Sequence, residues 1–360
     1  METLGLNRAF WRDRRVLVTG HTGFKGSWLA LWLQSLGSSV SGIALPPPTT
    51  PSLFDTARVA DGIHSCLLDL RDSREVAAAV SAADPEIVLH LAARSLVRES
   101  YADPVGTYAI NVMGTVHLLE AVRQLPNVRA VVVVSSDKCY QNNEWPWGYR
   151  ENEAMGGFDP YSSSKGCVEL ITAAYRNSFF AERERGAAIA TARAGNVVGG
   201  GDFARDRLIP DCLRAIDSKE PVRIRHPEAV RPWQHVLDPL AGYLALAERL
   251  YVGGRDFAEA WNFGPSDDDA RTVRWVVERF IGDWGDGATW EADPASHPHE
   301  ARSLKLDCSK AHLRLNWRPR WPLEIAIGKV CAWHRAFTRG ANMRDFTLAQ
   351  IGEFESRGPR

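Results

Sequence analysis

Three glycines, Gly20, Gly23 and Gly26, sit between an apolar run and an amphipathic one and constrain this chain more than any other feature. The run Arg15-Val16-Leu17-Val18-Thr19 reads as a buried strand. It leads through Gly20-His21-Thr22-Gly23-Phe24-Lys25-Gly26 straight into a helix over 26–36, with Gly37 placed to end that helix in a left-handed conformation. Glycines in such a turn permit a tight bend, close approach of the backbone to a pyrophosphate, and tight packing of helix on strand. The helix N-terminus adds unpaired N–H groups and the positive end of its dipole. This junction predicts a dinucleotide site on the first βα unit of a parallel sheet.

The following sequence extends that pattern. Strands are expected at 40–45, at Cys66-Leu67-Leu68, at 87–91 and at 128–134, with helices over about 72–83 and 103–125 between them. Apolar runs of this kind suit strands buried on both faces of a sheet. Pro46-Pro47-Pro48-Thr49-Thr50-Pro51 must be an extended loop, since proline lacks the donor that helices and central strands need. Beyond about Ala194 the alternation weakens. Gly199-Gly200-Gly201 marks a turn, 208–216, 237–250 and 272–281 read as helices, and Val222-Arg223-Ile224 reads as a short strand. The fold expected is α/β: a Rossmann-type doubly wound parallel sheet with a smaller, discontinuous α/β substrate domain. The dinucleotide-binding domain spans 1–194 and about 228–258. The substrate-binding domain spans 195–227 and about 259–345. Residues 346–360 form a tail, frayed after Phe354.

Composition narrows the function classes. At 360 residues with 45% hydrophobic content, the chain can bury a core without metals or disulfides. A net charge of −1 gives no basic surface for nucleic acid. The six cysteines form no CxxC pair and read as reduced thiols, and no metal site is expected. No stretch approaches the ~20 apolar residues of a membrane span, and the N-terminus lacks the apolar core of a secretion signal. A cytoplasmic location is expected.

Chemistry is carried by two further motifs. In Pro160-Tyr161-Ser162-Ser163-Ser164-Lys165, proline suits the first helical turn, and Tyr161 and Lys165, four apart, share one face. A free tyrosine titrates near ~10; lowering that toward ~7 takes about 4 kcal/mol, a reasonable demand on a nearby cation and a bound cationic ring. Ser135-Ser136-Asp137-Lys138 falls at the end of the fifth strand, where ligands of such sheets bind. Ser136 is placed to hydrogen-bond the oxygen whose proton Tyr161 removes. Asp137 separates reaction classes: eliminating water from a sugar needs an acid for the departing hydroxyl and a base for the neighbouring C–H, whereas epimerisation needs neither.

The GxxGxxG spacing and the Ser/YxxxK set are similar to those of the extended short-chain dehydrogenase/reductase superfamily. Four strings, 20–28 (GHTGFKGSW), 46–54 (PPPTTPSLF), 136–140 (SDKCY) and 231–236 (RPWQHV), further resemble the CDP-glucose branch of its sugar-nucleotide 4,6-dehydratases, over roughly Trp11 to Trp333. The resemblance implies NAD as cofactor, held by Gly20, Thr22, Gly23, Phe24, Lys25 and Gly26, by Asp69 and Leu70 at the adenine, by Leu91, Ala92 and Ala93 along the cofactor, and by Tyr161 and Lys165. It implies a nucleotide-sugar substrate, CDP-glucose, with Ser95 near the hexose, Asn196 and Arg231 at the diphosphate, and Arg207 and His299 as further candidates. It makes Ser136, Asp137, Lys138, Tyr161 and Lys165 the catalytic set and implies a homo-oligomer, dimer or tetramer. Two departures stand out. The second strand ends Ile43-Ala44-Leu45-Pro46, without the acidic residue that usually takes the NAD ribose. Lys138 replaces the glutamate that commonly follows the aspartate, leaving either Lys138 or Asp137 as the base at C5. The rival readings are a sugar-nucleotide 4-epimerase and a non-catalytic dinucleotide sensor of the same fold.

Overall fold

The computed structural model describes residues 7–181, 186–285, 287–295 and 301–358. Strands β1 (Arg15–Thr19), β2 (Ser39–Ala44), β3 (His64–Leu67), β4 (Ile87–His90), β5 (Ala130–Val134), β6 (Ala188–Ala194) and β7 (Ala260–Phe263) form one parallel sheet in the order β7-β6-β5-β4-β1-β2-β3. The order reverses between β1 and β4, so a crevice opens at the carboxyl ends of those two neighbouring strands. β4, β5 and β6 are buried at every position; β5 is accordingly an unbroken Ala and Val run, whereas β4 ends in His90 and β6 buries Thr191 and Arg193 among its alanines.

β3 differs from expectation. It is the exposed edge of the sheet, with Leu67 56% exposed, and it starts two residues earlier than the apolar run because edge pairing to β2 does not require apolar side chains. The helix expected over 103–125 is three pieces, Pro104–Tyr108, a π turn Ala109–Met113 and Gly114–Arg123, preceded by a short helix Val97–Ala102. Asp103 caps Pro104–Tyr108, the first of the three pieces, by accepting from the Gly106 N–H at 2.9 Å.

The second lobe is built from the helix Leu208–Asp217, the helix Val273–Trp284 and small two-stranded ladders pairing 222–224 with 290–292 and 230–232 with 270–272. Its core gathers Ile209, Val222, Ile224, Trp233, Phe280 and Ile327. Two boundaries shift. β7 pairs with β6, so the first lobe extends past the expected break at about 258. The segment from 346, expected as a tail, is helical as far as Ser356: Met343–Ser356 packs on the helix Phe24–Ser35, with Ile351 and Phe354 buried. Glu355 accepts from the Trp32 indole at 2.8 Å and pairs with Arg8. Only one stripe of this helix is covered, so the segment carries no long apolar run.

Candidate active site

The glycine turn is held by close backbone contacts. Gly20 has φ +76° and donates to the Ile43 carbonyl at 2.7 Å; a Cβ there would lie 2.8 Å from Ala92 N. A Cβ on Gly26 would fall 2.0 Å from the Gly20 oxygen, so helix and turn meet only through glycine. Gly23 is the N-cap of Phe24–Ser35 and supplies no side-chain cap, leaving the first N–H groups of that helix facing the cleft. A pyrophosphate fits there. Below the turn, Thr19 Oγ1 accepts from the Ala92 N–H at 3.1 Å and meets His90 Nδ1 at 2.6 Å, while His90 Nε2 meets Thr115 Oγ1 at 3.0 Å. These bonds shape the Leu91–Ala93 loop.

A cleft of about 1870 Å³ runs between the lobes. Single-ligand pockets occupy roughly 300–1,000 Å³, so this one has room for a dinucleotide and a nucleotide sugar together. Its walls include all the cofactor candidates (Gly20, Thr22, Gly23, Phe24, Lys25, Gly26, Asp69, Leu70, Leu91, Ala92, Ala93), all five catalytic candidates, and Ser95, Asn196, Arg207 and Arg231. His299 lies outside the described residues. The proline loop after β2 also lines the cleft, where Thr22 Oγ1 donates to the Leu45 carbonyl at 2.8 Å. A backbone anchor thus occupies the strand end that lacks an acidic residue. Both Asp69 oxygens accept from Arg71, at 2.6–2.9 Å, which holds its carboxyl below the usual range.

Asp159 starts the helix Pro160–Tyr175 by accepting from Ser162 N at 2.9 Å, with Pro160 in the first turn. Tyr161 and Lys165 are 8% and 5% exposed. Lys165 Nζ donates to the Val134 carbonyl at 3.0 Å, at the end of β5, and burial lowers its pKa to about 8. Burial raises the Tyr161 phenol to about 12, against the pull of the Ser136 hydroxyl. The protein alone therefore keeps this phenol neutral, and the phenolate expected from the sequence needs the bound ligands.

Ser136, Asp137 and Lys138 follow β5, the last two in a 3-10 turn, Asp137–Cys139. Ser136 Oγ donates to Asp137 Oδ1 at 2.9 Å. The other oxygen, Oδ2, is buried and has no hydrogen-bond partner among the described residues. Burial raises the Asp137 carboxyl, although Lys138, Arg231 and Lys25 pull it down. Gly195 allows this approach, since a Cβ there would lie 3.2 Å from Oδ2 and 2.4 Å from Pro232. Lys25, beside Arg207 and Lys165, is lowered to about 7, chiefly by burial. Arg207 reaches across the cleft to Ser95 Oγ at 2.8 Å and pairs with Asp202 at 2.9 Å.

Two positioning groups, Ser100 and Asn111, were not legible in the sequence, and a third, His90, was legible only by its place in the chain. Ser100 Oγ accepts from Tyr161 N at 3.1 Å. Asn111, in the π turn, donates to Ser164 Oγ at 2.9 Å and bonds the Arg94 backbone on both sides. His90 was visible as a strand-end residue, but its two threonine partners were not. None of these contacts has a spacing that a sequence could show.

The GDP-mannose 4,6 dehydratase family model matches residues 17–330. A CDP-glucose 4,6-dehydratase from Salmonella typhimurium is 53% identical over 358 residues, covering 99% of this chain and 100% of that protein. A dTDP-glucose 4,6-dehydratase from Xanthomonas campestris is 26% identical, covering 93% of this chain and 98% of that one. Among solved structures, UDP-glucose 4-epimerase from Thermotoga maritima with UDP-glucose has a TM-score of 0.78 at 22% identity, over 90% of this chain and 99% of that one. A dTDP-glucose 4,6-dehydratase from Bacillus anthracis in complex with NAD has a TM-score of 0.74 at 22% identity, over 91% and 98%. At those identities the two structures speak for the fold. On the family match and the near-full-length relative, the chain belongs to the GDP-mannose 4,6 dehydratase family, within the extended short-chain dehydrogenase/reductases.

Proposed function

We propose that this chain acts as a CDP-glucose 4,6-dehydratase, converting CDP-D-glucose to CDP-4-keto-6-deoxy-D-glucose and water with NAD as a cofactor that ends as it began. The observation that carries this reading is Asp137: a buried carboxyl held up in pKa, one oxygen on Ser136 and the other unpartnered among the described residues, in the same cleft as Tyr161 and Lys165. Oxidation or epimerisation at C4 has no use for such an acid; expelling a hydroxyl does. The substrate's identity is supported by the Salmonella relative, and NAD by the glycine turn and the NAD-bound dehydratase.

The residues of the glycine turn would hold the pyrophosphate, and Asp69 and Leu70 the adenine end. Bound there, NAD+ would supply the hydride acceptor for C4 and the hydride donor for C6. Tyr161 removes the 4-hydroxyl proton while Ser136 bonds the same oxygen and Lys165 fixes the tyrosine's surroundings. The C4 ketone acidifies C5–H. Asp137 protonates the 6-hydroxyl, which leaves as water. Two assignments satisfy the proton balance at C5: neutral Lys138 as base, or Asp137 in both roles with cationic Lys138 stabilising the enolate. The cationic role asks less of the side chain and is the one adopted. Asp137 gives C5 back a proton in place of the one it removed and is recharged from solvent, while Tyr161 releases the 4-hydroxyl proton to solvent. Asn196, Arg231 and Arg207 hold the diphosphate side, Arg231 through its paired donors, and Ser95 faces the hexose.

The test is incubation with CDP-, dTDP-, UDP- and GDP-hexoses. CDP-glucose should give a product lighter by one water without net consumption of NAD. A product of unchanged mass would point to epimerisation, and water loss from another nucleotide alone would overturn the substrate assignment.

The same reading includes a homo-oligomer. Tyr101, Val105, Tyr108, Met113 and Leu170 are exposed apolar residues on helical segments that pack together, Val105 at 79% and Leu170 at 61%. Such a patch on one chain calls for a second copy. Free thiols at all six cysteines suit a reducing, cytoplasmic setting. Among the described residues no helix is long and apolar enough to cross a membrane.

A further inference from the structure

The two catalytic segments come from distant parts of the chain, the turn Asp137–Cys139 and the helix Pro160–Tyr175. One buried guanidinium joins them. Arg193, on β6, donates from Nε and Nη2 to both Glu169 oxygens at 2.8 Å. Glu169 stands four residues beyond Lys165 and eight beyond Tyr161, on the same helical face. Arg193 Nη1 donates to the Tyr140 hydroxyl at 2.7 Å, and Tyr140 closes the turn that carries Asp137 and Lys138. Thr191 adds a bond to Glu169 at 2.6 Å; Tyr140 donates onward to Asn262 at 2.8 Å. Arg193, Glu169, Tyr140, Thr191 and Asn262 are all 5% exposed or less.

We propose that Arg193 is a positioning residue that sets the spacing between the oxidising pair, Tyr161 and Lys165, and the eliminating pair, Asp137 and Lys138. The inference rests on the dehydratase reading and deepens it. A plain oxidoreductase needs one pair aligned with its substrate. A dehydratase must keep two pairs in register on one sugar, at C4 and at C5–C6. A rigid, planar fork satisfied on both sides is suited to that, because its two arms cannot move independently. The bland account is a buried ion pair that merely tolerates its own desolvation. That account predicts no difference between the two chemical steps.

Each arm can be cut separately. Tyr140→Phe removes the bond to the eliminating turn and keeps the ring. Glu169→Gln weakens the arm to the oxidising helix and keeps the shape. Rapid quenching with mass analysis separates the C4 ketone that still holds its water from the dehydrated product. Tyr140→Phe should leave the rate of C4 oxidation unchanged and slow water loss about tenfold to a hundredfold, the scale of a small misplacement. The undehydrated ketone should then accumulate. Glu169→Gln should slow C4 oxidation, and no ketone should build up. Equal slowing of both steps in both variants, or a fall in Tm without any change in the ratio of steps, overturns the proposal. If Glu169→Gln does not fold, Thr191→Val removes one bond from the same carboxylate and takes its place. Water loss by the unaltered enzyme, measured alongside, tests the dehydratase reading independently.

Discussion

Asp137 and Lys138 are neighbours in one turn, yet they meet different surroundings. Asp137 is 2% exposed with one oxygen unpartnered among the described residues, whereas Lys138 is half-buried on the cleft wall. Asp137→Asn keeps the shape and removes the proton. Oxidation at C4 should persist while water loss falls by 10²–10⁴, the usual worth of a positioned acid, about 3–5 kcal/mol. Quenched samples should contain ketone that retains its water; unchanged turnover would place the acid elsewhere. At Lys138 the decisive change is to arginine, which stays protonated and cannot act as a base. If Lys138 acts as a cation, Lys138→Arg keeps exchange of C5–H with solvent deuterium and Lys138→Met loses it. Loss in both variants, with C4 oxidation intact, makes Lys138 the base once a shifted arginine has been ruled out by substrate affinity.

Single elements carry a separate constraint, clearest at the helix Leu237–Gly253. Asp238 in its first turn is fully buried; one oxygen accepts from Arg320 N at 2.6 Å and the other has no partner among the described residues. Burial raises its carboxyl from 3.8 to about 7. The folded state therefore holds a proton that the unfolded chain gives up. The stability tied to that proton is fully present below 3.8 and is lost as pH rises toward about 7. Asp238→Asn should remove this dependence. The Tm of the unaltered protein relative to the variant should fall between pH 4 and 7 and level off above. Parallel curves would mean that Asp238 ionises as freely in the folded state as in the unfolded one. The chain order around this helix also matters for catalysis, since Gln234-His235 pairs with Val197-Val198 and so places Asn196 beside the cleft.

At the scale of the whole molecule, the cleft exists because two lobes face each other, and Arg207 spans it to Ser95. The apolar face around Val105 and Leu170 lies on the first lobe, on elements that also hold Tyr161. Val105→Glu with Leu170→Glu should shift sedimentation toward the monomer and lower Tm, with little direct effect on the chemistry of a correctly folded chain. An unchanged oligomer in the double variant would move the interface to another surface.

What the sequence determined by itself was local. Gly20, Gly23 and Gly26 mark the turn because backbone approach excludes any Cβ there, as Gly26 against the Gly20 oxygen demonstrates. Tyr161 and Lys165 were legible because four residues bring side chains to one helical face, and β4 and β5 because burial on both faces leaves an apolar run; β6, interrupted by Thr191 and Arg193, was not among the expected strands. Tertiary structure decided the rest. The exposure of β3, the break of the 103–125 helix at a π turn, and the docking of the C-terminal helix depend on what packs against each element rather than on its own period. Asp137's raised carboxyl needs Gly195 and the surrounding walls; the link from Arg193 to both Glu169 and Tyr140, and that from Arg207 to Ser95, join residues 24, 53 and 112 positions apart. Contacts at such separations leave no periodic trace in a sequence, because the fold alone brings their partners within hydrogen-bond reach.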